Sequence, residues 1–86
     1  MRARMDRLNA KLAELLQRRA RLALAIGRKK IEFDLAAPDP AREREMLANV
    51  LKTAPPGFER RELARIFRSI FAASRSLVVR DRRVTR

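Results

Sequence analysis

Apolar residues at Met1, Met5, Leu8, Leu12, Leu15, Leu22 and Ile26 recur in alternating steps of four and three, with one slot skipped. That is a heptad seam, the spacing of helices packed side by side, and it predicts a helix from about Met1 to about Phe33. At about 1.5 Å per residue such a helix approaches 45–50 Å. A compact monomer of this length measures only about 30 Å across. So long a helix needs a second chain to cover it, and its length argues for a homodimer.

Two proline-bearing breaks divide the rest of the chain. Leu35 to Pro40 holds Pro38 and Pro40. Asp39 followed by Pro40 is a good helix start, because the carboxylate caps free N–H groups and proline fits the first turn. A second helix carrying Met46, Leu47, Val50 and Leu51 then runs to Ala54-Pro55-Pro56-Gly57, which ends it. A third is expected from about Arg60 to Val79, with Leu63, Phe67, Ile70 and Leu77 on its seam and Ile66 and Phe71 widening the face. The expected fold is all-α, with three helices per chain: one long, one short and one medium. The domain spans residues 1–79, and residues 80–86 read as a basic C-terminal tail or linker stub.

The residues that interrupt the stripes carry the most information. The skipped slot in the first helix is Arg19, and an arginine in a packing seam is costly unless it meets an anion or acceptors. Lys30 lies about three turns later on nearly the same side, whereas Arg2 is rotated from that line by about 100°. Arg2 therefore serves another surface or another copy of the site. Glu43 shares a face with Leu47, with Arg42 beside it and Asp39 one turn earlier; Ser74 fills the slot between Ile70 and Leu77. Each has a plainer reading. Arg19 can snorkel, Asp39 can be an N-cap and no more, and Arg42 with Glu43 can be solvated charge. Ser74 can bond its own backbone, and Gly27 can mark close packing. Their occurrence together points to a polar pocket inside a helical bundle.

Composition narrows what such a pocket takes. Lysine and arginine total 22 against 10 acidic residues, a formal net charge of +12, so an anionic partner is expected. The charge is scattered and there is no Trp or Tyr, which disfavours a nucleic-acid platform. With no Cys and no His, disulfides, the usual zinc sites and the common nucleophile–base pairs are missing. No Gly-rich phosphate loop is present. No apolar run approaches the roughly 20 residues of a membrane span, and none reads as a signal peptide, so a cytoplasmic protein is expected. What remains is a cluster of fixed cations with one or two carboxylates. It suits binding a small polyanion, or a reaction that needs only orientation and charge stabilisation.

The pattern Met1-Arg2-x-x-Met5-Asp6-x-x-Asn9-x-x-Leu12, then Leu15-Leu16-x-x-Arg19 and Ile26-Gly27-x-x-Lys30, resembles the first helix of AroQ-class chorismate mutases. Asp39-Pro40-x-Arg42-Glu43-x-x-Met46-Leu47 resembles their second helix, and Ile66-Phe67-x-x-Ile70-Phe71-x-x-Ser74 their third. Asn9 and Pro56-Gly57-Phe58 look closest to the mutase domains fused to, or associated with, DAHP synthases. The resemblance implies an intertwined homodimer that rearranges chorismate, a small dianion, to prephenate in aromatic amino-acid biosynthesis, without a cofactor or metal. By similarity, Arg19 and Lys30 bind a carboxylate and the ether oxygen, and Arg2 reaches in from the other protomer. Arg42 supports Lys30 and the carboxylate region, Asp39 and Glu43 take the hydroxyl, and Ser74 contacts the second carboxylate. Arg19, Lys30 and Glu43 are the catalytic candidates.

One position departs from the family. Where the resemblance expects Gln or Glu one turn beyond Ser74, donating to the ether oxygen, this chain has Val78, which cannot donate. Losing such a donor costs on the order of 3 kcal/mol, about a hundredfold in rate. Val78→Gln is therefore expected to raise turnover, unless another group such as Arg75 or Arg80 already supplies the donor. Three readings stand at this point: an active, slow mutase; a mutase-like regulatory domain binding chorismate or prephenate for a DAHP synthase partner; and a basic helical nucleic-acid binder.

Overall fold

The computed structural model describes residues 1–32 and 39–85, and among them the chain forms three α-helices and no strand. They are α1 (Arg2–Glu32), α2 (Pro40–Thr53) and α3 (Arg60–Thr85). The all-α, three-helix class read from the seams is the one found. The expected break from Leu35 lies outside the described residues up to Pro38.

Local chemistry accounts for the ends of α2. The Oδ1 of Asp39 accepts the backbone N–H of Arg42 at 3.1 Å, Pro40 occupies the first turn, and Glu43 places negative charge near the N-terminus. These satisfy a free donor and complement the helix dipole. At the other end the Ala54 N–H reaches Val50 O at 2.9 Å before Pro55 and Pro56 stop the ladder.

Both α1 and α2 pack on α3. Phe71 and Ala64 of α3 are the only buried apolar side chains among the described residues, so the core is thin. Phe67 and Phe71 meet edge to face, 6.2 Å between centroids, an arrangement the ring quadrupoles favour. At Gly27 α1 lies close against α3: a Cβ there would lie 2.7 Å from Val78 Cγ1. Close packing is a sufficient reason for this mid-helix glycine.

The third helix runs past its expected end at Val79 to Thr85, because residues beyond Val79 have partners on α1. Asp81 takes two hydrogen bonds from Arg28, Nη2 to Oδ1 at 2.8 Å and Nε to Oδ2 at 3.1 Å. This bonding, and then the attraction of the guanidinium, holds the Asp81 carboxyl below its ordinary value against partial desolvation, and raises Arg28. Arg82 Nη2 donates to the Gly27 carbonyl at 3.2 Å. A run of charged residues reads as a frayed tail when its partners lie more than fifty positions earlier in the chain.

The resulting shape is elongated, 47 × 26 × 15 Å, with a radius of gyration of 15.0 Å. A compact chain of this length has a radius near 12 Å. The α1 seam is uncovered: Met5, Leu8, Leu12, Leu15, Leu22 and Ile26 are all exposed, Leu8 to 64%.

Candidate functional site

The three helices line an open-sided cavity of about 500 Å³. Its apolar wall includes Leu22, Ile26, Phe71, Val78 and Val79, and its polar wall carries the cations Arg19, Lys30, Arg42, Arg75 and Arg82 against the carboxylates Asp39 and Glu43. An apolar lining interrupted by several cations suits a small anionic molecule with a carbon skeleton.

Arg19 is the residue on which all three helices converge. Its Nη1 donates to Ser74 Oγ at 2.9 Å, its Nη2 lies 3.8 Å from Met46 Sδ, and its guanidinium sits 5.2 Å from the centre of the Phe71 ring. The hydroxyl of Ser74 donates in turn to Ile70 O at 3.0 Å. Ser74 therefore bonds its own backbone and also orients Arg19. No carboxylate lies within ion-pair distance of Arg19 among the described residues, so it faces the cavity as a held cation lacking a counter-ion. A purely snorkelling arginine would not be anchored this way.

Lys30 and Asp39 bridge α1 and the start of α2, with Nζ and Oδ2 3.9 Å apart. Asp39 thus combines the plain N-cap role with a second contact at the cavity edge. Glu43 forms a short ion pair with Arg75 of α3. Arg42 lines the cavity, yet its guanidinium is bonded to Glu45 on its own helix at 2.6 Å and makes no bond to Lys30. Val78 lines the wall without offering a donor.

Seven of the eight candidates from the sequence therefore meet at one cavity: Arg19, Lys30, Asp39, Arg42, Glu43, Ser74 and Val78. Arg2 does not. It begins α1, about 25 Å along the axis from Arg19.

Two further residues at the cavity are less visible in the sequence. Arg75 is legible there only as a possible stand-in for Val78, and its pairing with Glu43 depends on α2 crossing α3. Arg82 falls within the expected tail. Its one signal is its place one turn after Val78, on the same helical face. It lines the cavity, and its Nε is buried without a hydrogen-bond partner among the described residues. An N–H left in that state costs about 1–3 kcal/mol.

Comparison with known proteins agrees with this architecture. No curated protein matches the chain significantly. Among solved structures, chorismate mutase (form II) from Thermus thermophilus superposes with a TM-score of 0.89 at 39% identity, over 92% of this chain and 90% of that one. Form I of the Thermus enzyme gives 0.83 at 40% identity, over 85% of this chain and 91% of that chain. Residues 1–79 match the family "chorismate mutase type II". With the family matched along nearly the whole chain, and the cavity lying among the helices that match, the chain belongs to the type II chorismate mutases.

Proposed function

We propose that the protein is a chorismate mutase, an isomerase that converts chorismate to prephenate for aromatic amino-acid biosynthesis. The observation that carries the reading is Arg19: a guanidinium fixed by three helices, without a counter-ion, in the lining of a largely apolar cavity. The reaction is intramolecular. A C–O ether bond breaks as a C–C bond forms, and no proton or electron is exchanged with the protein. Its barrier falls when the flexible substrate is held in a compact reactive conformation and when charge developing on the ether oxygen meets fixed cations.

In this scheme Arg19 binds a substrate carboxylate, with Ser74 orienting it and contacting the second carboxylate. Lys30 reaches the ether oxygen, Asp39 and Glu43 take the hydroxyl, and Arg42 adds positive charge on the α2 side. The apolar wall, Val78 included, packs on the ring. Arg2 enters from a second copy of the chain, since on its own helix it lies far from the cavity. The uncovered α1 seam supports that homodimer.

Asn9 and Pro56-Gly57-Phe58 support association with a DAHP synthase partner. Among the described residues no helix is long and apolar enough to cross a membrane, which supports placing the protein in the cytoplasm.

The test is loss of chorismate absorbance with purified protein beside Arg19→Ala. Turnover in the parent that falls at least a hundredfold in the variant is expected. A parent that binds chorismate or prephenate without turnover would assign the site to regulation instead.

A further inference from the structure

Val78 leaves one end of the cavity without a donor, and the structure offers a replacement beside it. We propose that Arg82 contacts the substrate there, its guanidinium N–H groups directed at the ether oxygen on which negative charge develops as the C–O bond breaks. The inference rests on the reaction proposed above.

Arg82 follows Val78 by one helical turn and lines the same cavity. Its Nη2 touches the Gly27 carbonyl at 3.2 Å. Gly27 lies one turn before Lys30 on the same face of α1. The heads of Arg82 and Lys30 therefore approach the same end of the cavity from different helices, and Lys30 is the residue assigned above to the ether oxygen.

The neighbouring cations are committed elsewhere: Arg75 to Glu43, Arg42 to Glu45 and Arg28 to Asp81. Arg82 has no carboxylate within ion-pair distance among the described residues, only a neutral carbonyl, and its Nε is buried and unpartnered. A charged group that lines the cavity beside an apolar wall, with no carboxylate to neutralise it, is arranged for charge that appears only during reaction. Such a group stabilises the transition state more than the ground state.

The experiment is steady-state kinetics on the full chain, comparing the parent, Arg82→Ala, Arg82→Ala with Val78→Gln, Arg19→Ala, and Arg83→Ala as an exposed control. Arg82→Ala is expected to lower kcat about a hundredfold with KM changed only a few-fold. Added guanidinium ion, or a glutamine at position 78 of the Arg82→Ala chain, is expected to recover at least about tenfold. A residue acting only as a tie between α3 and α1 would lower the thermal midpoint and would gain nothing from either rescue, and that result overturns the proposal. A parent that turns over, fails in Arg19→Ala and persists within threefold in Arg82→Ala overturns this inference alone. A parent with no turnover overturns the mutase reading and this inference together.

Discussion

At Gly27 a single hydrogen separates good packing from collision. The position where a Cβ would sit is 2.7 Å from Val78 Cγ1 and 3.6 Å from Val78 Cβ, so a methyl there meets a β-branched side chain that is stiff at χ1. Alanine would favour the helix by about 1 kcal/mol, while overpacking costs about 1–3 kcal/mol. The second effect wins. Gly27→Ala is expected to lower unfolding free energy by about 1 kcal/mol, read from urea denaturation. Because the clash is with the valine methyl groups, Val78→Ala should offset part of that loss, giving a favourable coupling in the double-mutant cycle. Simple additivity would show that the two helices part to make room.

The C-terminal stretch of α3 is joined to α1 by charge. Asp81 is held below its ordinary value of 3.8, first by its hydrogen bonds to Arg28. The folded chain therefore releases this proton more readily than the unfolded chain, and the carboxylate stabilises the fold above the unfolded pKa. That contribution fades as pH falls from about 4 through the lower folded value. Asp81→Asn should thus be less stable than the parent at pH 6, with the gap closing towards pH 3. The difference in urea midpoint at the two pH values measures it. An equal gap at both would mean that Asp81 acts through shape and not charge. Salt should narrow the gap at pH 6, since the Arg28 side chain is largely exposed.

For the whole molecule the controlling fact is how little a lone chain buries. Its accessible surface is 7437 Å², whereas a compact monomer of this mass exposes about 5,200 Å². The exposed apolar residues of the α1 seam contribute to that excess, and a symmetric partner is the natural cover. Sharing of sites makes this testable beyond mass alone. If Arg2 of one copy completes the cavity of the other, Arg2→Ala and Arg19→Ala proteins are each nearly inactive. Refolded together in equal amounts, half the dimers are mixed, and each mixed dimer keeps one intact site of two. Activity should then recover to about a quarter of the parent's. No recovery, with mixed dimers verified by mass, would place both arginines in a single chain's site, whereas an Arg2→Ala protein that stays active on its own would leave Arg2 without a role.

Much of this protein is local and therefore legible in its residues. The heptad steps from Met1 to Ile26 specify α1 because side-chain direction repeats with the helix. Asp39-Pro40 and Ala54-Pro55-Pro56 set the ends of α2 because capping and the missing proline N–H act within one turn. The polar interruptions Arg19, Lys30, Glu43 and Ser74 mark the cavity because a polar residue in a seam needs a partner. The rest depends on distance in space between residues far apart in the chain. That Arg19 meets Ser74 and Phe71, that Arg75 takes Glu43, and that Arg28 and Gly27 hold Asp81 and Arg82 follows only once α1 and α2 lie on α3. Periodicity tells which face of a helix is used, but not which side chain stands across from it. The end of α3 and the surroundings of Arg82 were decided by those tertiary partners.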